Sequence, residues 1–142
     1  MKHDPIQDLI QRKNAIYLGG GQKSIDKQHE AGKLTARERL GLLYDPDSFQ
    51  ESHAFTQHRC VHFEMNRKEL PGDGVVTGVG LIDRRPVYAA SQDFTVAGGS
   101  VGEANARKIQ QTMDEALKTG DPFVFINDSG GARIQEGVES LG

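Results

Sequence analysis

Apolar residues recur at helical intervals in the first 50 positions and at strand intervals after residue 71. Ile6, Leu9, Ile10, Ile16 and Leu18 lie among charges with loosely helical spacing, and "GGGQKS" (19–24) then interrupts them. That stretch reads as a flexible break between helices. In "LTARERLGLLYDPDSFQE", Thr35 and Glu38 have the spacing of a capping box, which opens a helix. Leu40 and Leu43 give this helix one apolar edge, and "DPDS" (45–48) stops it with turn chemistry. "GDGVVTGVGLI" and "PVYAASQDFTV" carry the β-branched and aromatic residues of strands, and "DRR" (83–85) makes a tight turn between them. Ala106, Ile109, Met113, Ala116 and Leu117 predict a helix over 103–119, with Gly120 placed to end it. "PFVFIN" (122–127) is a continuous apolar run, the pattern of a strand covered on both faces, and a further helix is expected from 132. The class is therefore α/β, with a helical segment (1–50) ahead of a strand-and-helix region (51–142).

Composition narrows the functions on offer. A chain of 142 residues is long enough for one domain with a real core. Its 17 Lys and Arg against 20 Asp and Glu give a net charge of −3, which recommends neither nucleic acid nor an anionic membrane as partner. The single cysteine, Cys60, excludes an internal disulfide and fits a reducing compartment. No apolar run approaches the roughly 20 residues needed to span a bilayer. The charged N-terminus is not a signal peptide. A cytoplasmic protein without membrane insertion is expected.

The 17 glycines are the unusual feature, since the average share is only roughly 7%. If a strand ends at 127 and a helix starts at 132, then Gly130, Gly131 and Ala132 sit at a helix N-terminus. Amides there lack internal partners and feel the positive end of the helix dipole, so they can hold an oxyanion. The same letters also fit an ordinary strand-to-helix turn capped by Ser129 or Asp128. Gly98, Gly99, Ser100 and Gly102 repeat the arrangement ahead of the 103–119 helix, and both glycine-rich starts should open towards one end of the sheet. Neither matches G-x-G-x-x-G, and "GGGQKS" lacks the Gly-Lys-Ser/Thr order of a phosphate loop. His58, Cys60 and His62 alternate as on a strand, but zinc would need a fourth ligand, so a partly buried edge strand and no metal site are expected. "DSGGA" is not a nucleophile elbow. Glu136 and Glu139 share a helix face and read as solvated.

"KLTARERLGLLYDPDSF", "PGDGVVTGVG", "SQDFTVAGGSVGE" and "NDSGGARIQEGVESL", in this order, resemble the start of the carboxyltransferase subunits of biotin-dependent acyl-CoA enzymes, the group of propionyl-CoA carboxylase β chains and methylmalonyl-CoA decarboxylase α chains. The match begins near residue 20. It implies a crotonase-like fold of stacked β-β-α units. It also implies transfer of a carboxyl group between biotin and the α-carbon of a short-chain acyl-CoA. By this resemblance, Gly131 and Ala132 supply part of the thioester oxyanion hole. Gly98, Gly99 and Ser100 shape the neighbouring CoA pocket, with Phe94, Thr95 and Gly130 also against substrate. Arg133 either meets a CoA phosphate or braces the turn. Biotin would arrive on a separate carrier protein or domain, alongside a biotin carboxylase subunit, without a metal, and the complete protein would form a homo-oligomer. The direction stays open between a carboxylase and a sodium-pumping methylmalonyl-CoA or glutaconyl-CoA decarboxylase, and a noncatalytic acyl-CoA-binding module is the alternative from another class. A hydratase is disfavoured because the acidic pair it needs is absent. Arg84 departs from the family's frequent glycine. Family members are far longer, so a second oxyanion segment and the biotin-binding half are expected beyond Gly142, and residues 1–142 alone should not turn over.

Overall fold

The computed structural model describes residues 4–141; Met1, Lys2, His3 and Gly142, which belong to the two expected segments, lie outside the described residues. Three helices come first: α1 (Pro5–Tyr17), α2 (Gln22–Glu30) and α3 (Ala36–Leu43). Asp4 opens α1 by accepting the Ile6 amide at 3.0 Å, and Pro5 pre-sets the first turn. The capping box of α3 is present in both directions: Glu38 N donates to Thr35 Oγ1 (3.3 Å) and Thr35 N to Glu38 Oε2 (2.7 Å).

The sheet contains β1 (Gln50–Ser52), β2 (Val75–Ile82), β3 (Arg85–Gln92) and β4 (Phe123–Ile126), in the order β1-β2-β3-β4. The first two pairings are antiparallel; β3 and β4 run parallel, joined by α4 (Glu103–Thr119). The α3 side of the sheet buries Ala36, Leu40, Tyr44, Val76, Val87 and Ala89; the α4 side buries Val75, Ala90 and Ile109 against Phe123. Strands therefore carry small and β-branched residues facing a helix on each side, as an α/β layer requires. Burial pushes the Tyr44 phenol up to about 12, and its hydroxyl donates to the Val87 carbonyl at 2.9 Å.

Several expectations need correction. Gly19–Gly21 are not a flexible break: a Cβ on Gly20 would lie 1.7 Å from the Thr95 carbonyl oxygen, so the backbone is docked there, and α2 starts within the stretch at Gln22. Residues 57–61 form neither strand nor bridge, so His58, Cys60 and His62 share no strand face. β4 is covered only in part: it is an edge of this sheet, Phe123 packs on the α4 side and Val124 and Ile126 on the α3 side, while Phe125 is 40% exposed. The largest change concerns residues from 132. Ala132 lies in a parallel bridge with Val101, and Ile134–Leu141 form 3-10 turns broken at Gly137 rather than an α-helix.

Candidate functional site

Because β3 and β4 are parallel, the segments that leave their C-terminal ends emerge on the same side of the sheet. They meet there. Gly130 N donates to the Gly98 carbonyl (2.9 Å), Val101 N to the Gly131 carbonyl (2.9 Å) and Arg133 N to the Val101 carbonyl (2.7 Å). The contact needs glycine on one side: Gly99 has φ +60° and a Cβ there would sit 2.2 Å from the Asp128 carbonyl oxygen. Gly98, Gly99, Gly130, Gly131 and Ala132 are thus brought together, as the spacing predicts, through a short parallel ladder; 98–102 lead into α4 as expected, whereas 130–132 open no α-helix.

The ladder decides which amide is available. In a parallel bridge the neighbours of Ala132 bond to Val101, so the N–H of Ala132 itself points to the other side. Ala132 is exposed, and among the described residues its amide has no acceptor. The Gly131 amide instead donates to Ser129 Oγ at 3.0 Å. The expected donor pair is therefore unequal. Gly131 contributes shape: its φ of +109° excludes a side chain, and nothing lies within 4 Å of where a Cβ would stand.

Arg133 is buried among protein partners. It is 2% exposed and donates to Asp73 Oδ1 (2.6 Å), Glu136 Oε1 (2.8 Å), Ser100 Oγ (3.2 Å) and the Ser100 carbonyl (3.0 Å). These contacts brace the turn between the two loops. Ser100 is engaged in the same brace, its hydroxyl oxygen accepting from Arg133 Nε. Burial pushes the Asp73 carboxyl up while the Arg133 guanidinium pulls it down. Glu136, expected in solvent, has a side chain only 4% exposed, because it serves Arg133 and the first amide of α4 together. Glu139 is exposed as expected.

Phe94 and Thr95 stand at the outer edge of the site. Phe94 is 41% exposed with Lys33 Nζ 4.8 Å above its ring, and Thr95 Oγ1 accepts the Gly20 amide (3.0 Å) while donating to Asp93 Oδ1 (2.6 Å). Asp128, considered from sequence only as a cap, is held by Gln28 Nε2 (3.0 Å), Lys33 Nζ (2.8 Å) and Arg39 Nη2 (2.5 Å). Burial raises its carboxyl, but these donors outweigh that and leave it below the ordinary range. Among the described residues no group of three or more His, Cys, Asp or Glu is placed to hold a metal, and no helix is long and apolar enough to cross a membrane.

Two glycine-rich loops laddered at the C-terminal ends of parallel strands, with one outward-facing amide donor, define the candidate site of this α/β domain. The chain belongs to the carboxyl transferase domain family, whose pattern matches residues 27–142. It is 58% identical over 136 residues to the methylmalonyl-CoA decarboxylase subunit alpha of Propionigenium modestum, and 59% identical over 139 residues to the mitochondrial propionyl-CoA carboxylase beta chain of Homo sapiens. Each match covers 96% of this chain and 26% of the relative, so the chain spans about a quarter of their length. The match extends well ahead of residue 20, where the sequence motifs alone would begin it. The crystal structure of transcarboxylase 12S, a hexamer with methylmalonyl-CoA and methylmalonic acid bound, superposes with a TM-score of 0.95 at 52% identity, covering 99% of this chain and 28% of that one. A single-chain long-chain acyl-CoA carboxylase superposes at 0.78 with 28% identity. These neighbours are crotonase-like carboxyltransferase domains, the fold expected from the motifs.

Proposed function

We propose that this chain forms the first wall of a carboxyltransferase site that moves a carboxyl group between biotin and the α-carbon of a short-chain acyl-CoA of the propionyl or methylmalonyl type. The outward N–H of Ala132 is the observation that carries the reading. A thioester oxygen seated on it gains a donor oriented in advance, and that donor is worth most when the oxygen takes on the negative charge of the enolate. Gly131, with no atom near its missing Cβ, leaves room for the oxygen to approach. Gly130, Gly98 and Gly99 hold the wall's shape, and the exposed ring of Phe94 lies where an apolar part of the thioester or pantetheine could rest. Ser100 and Arg133 hold the wall from behind.

Carboxybiotin supplies the carboxyl group when it is bound, on a carrier outside these residues. The residues described here orient the thioester and bear its charge; no side chain among them is assigned as nucleophile or base. The same amide serves both directions, which agrees with relatives named both carboxylase and decarboxylase. We place the complete protein in the cytoplasm as a homo-oligomer working with a biotin carrier and biotin carboxylase subunit.

The test compares Ala132→Pro with Ala132→Gly in the full-length protein, assayed for carboxyl exchange between methylmalonyl-CoA and free biotin. Removing the amide should lower kcat by on the order of 10²-fold, the cost of one oxyanion donor. Ala132→Gly, which keeps the N–H, should stay close to wild type. Unchanged turnover in a normally folded Ala132→Pro protein would refute the assignment.

A further inference from the structure

The N-terminal helical pair meets the site through one carboxylate. Gln28 in α2, Lys33 between the helices and Arg39 in α3 all donate to Asp128, across 100, 95 and 89 residues of sequence. The Asp128 side chain is only 8% exposed. Its amide donates to Gln92 Oε1 at 3.0 Å, and Gln92 is itself buried. Lys33 also reaches the other loop through the Phe94 ring. Apolar burial does not account for α2, whose one buried residue is Gln28; the amide of that side chain divides its donors between Asp128 and the Leu34 carbonyl (3.2 Å). A turn that had only to reverse the chain would not need two cations and an amide on a single acid. The donor set instead fixes both carboxylate oxygens, and with them the backbone that enters the Gly130–Ala132 segment.

We propose that Asp128 is a positioning residue for carboxyl transfer: the Gln28–Lys33–Arg39 clamp sets the backbone from which the Ala132 amide is presented, so that α2 and α3 are working parts of the acyl-CoA site. This rests on the proposed function of Ala132. A misplacement of about 1 Å near reacting atoms can cost 10²-fold in rate, so a loosened clamp should reach kcat before it reaches affinity.

The experiment uses full-length Asp128→Asn, which keeps size and one acceptor oxygen, and Lys33→Met, which removes one of the three donors. Two quantities are read: kcat and KM for methylmalonyl-CoA, and hydrogen exchange of the backbone amides from 130 to 133. In Asp128→Asn, kcat should fall at least tenfold with KM within threefold, and exchange should quicken at 130–133 while α3 stays protected. Lys33→Met should show both effects more weakly. Unchanged exchange at 130–133 in Asp128→Asn would overturn the clamp, whatever happens to kcat. Faster exchange there with unchanged kcat would leave the clamp standing and overturn the thioester role of the loop. If Asp128→Asn fails to fold, the same two readings on Lys33→Met decide the matter.

Discussion

Glu136 caps a helix to which it does not belong. Its Oε2 accepts the amide of Glu103, the first residue of α4, at 2.7 Å, while its Oε1 accepts from Arg133 at 2.8 Å. One carboxylate thus completes the start of α4 and shares with Asp73 the cation that braces the candidate loop. Gly102 leaves room for it: a Cβ there would lie 2.4 Å from Glu136 Oε1. Glu136→Ala leaves Arg133 paired with Asp73 but removes the acceptor of the Glu103 amide and of one guanidinium N–H, and a buried donor left unmet costs about 1–3 kcal/mol. Glu136→Ala should therefore destabilise the protein by about 2 kcal/mol. Glu136→Gln, which keeps an acceptor for the Glu103 amide, should cost clearly less. Chemical denaturation midpoints of the two variants test this; equal small losses would show that Arg133 is satisfied without Glu136.

The meeting of the two loops depends on the adjacent glycines 98 and 99 to different degrees. Gly98 and Gly99 both have positive φ (+63° and +60°), but only Gly99 is blocked by backbone: a Cβ there would lie 2.2 Å from the Asp128 carbonyl oxygen. Gly98→Ala should incur the left-handed strain alone, about 1–2 kcal/mol. Gly99→Ala adds a collision that only separation of the loops relieves, and it should lower carboxyl transfer by on the order of 10²-fold. Steady-state kinetics of the pair is the measurement, and equal activity in both would mean that the loops can part without consequence.

The sheet and its helices were legible where the information is local. Thr35 and Glu38 stand three residues apart and form their capping box; Gly120 ends α4 with φ +77°; the β2–β3 turn falls at Asp83 and Arg84. The site was legible as a meeting of glycines because two parallel strands must release their loops on one side. What failed was non-local. Glu136 and Glu139 have identical helical spacing on paper, yet only Glu136 is buried, because its partners Arg133 and Glu103 meet only after β3 and β4 pair. Lys33, Arg39 and Asp128 all stand within the motifs that carried the family resemblance, but no spacing rule joins residues so far apart. The helix expected from 132 lost to the Val101 ladder, a tertiary contact that extended backbone makes and a helix could not.

The departure from the family's frequent glycine at Arg84 has a conformational consequence. Asp83 (φ 49°) and Arg84 (φ 65°) form a two-residue hairpin turn with both residues in the left-handed region, the geometry that favours Asp-Gly. Their amides donate to the Asp45 carboxylate at 3.2 and 2.9 Å, so the turn is held from outside. Arg84→Gly relieves strain of roughly 1 kcal/mol and adds unfolded-state entropy of somewhat smaller size. The net should be a gain of about 0.5 kcal/mol, read as a higher denaturation midpoint, with activity unchanged. A lower midpoint would mean that the turn does not strain Arg84.

Lys108 gives stability a pH dependence of unusual sign. It is 1% exposed in α4, and its ammonium donates to the carbonyls of Gly72 (3.0 Å) and Val75. Burial pushes it down to about 8, with Glu51 and Asp73 pulling it up and Arg37 pushing it further down. Below pH 8 the folded protein carries the desolvated charge, which weakens the fold by about 3 kcal/mol relative to an unshifted lysine. Between pH 8 and the ordinary lysine range near 10.5 the unfolded chain holds the proton and the folded chain has released it, so stability rises with pH across that window. Other groups titrate there too, so the test is a difference. The gap in unfolding free energy between the wild type and Lys108→Met should change in the wild type's favour by up to about 3 kcal/mol from pH 7.5 to 10.5, with a slope approaching one proton. A gap that stays flat over that range would mean Lys108 keeps its proton in the folded state, held by the carbonyls of Gly72 and Val75 more strongly than burial opposes it.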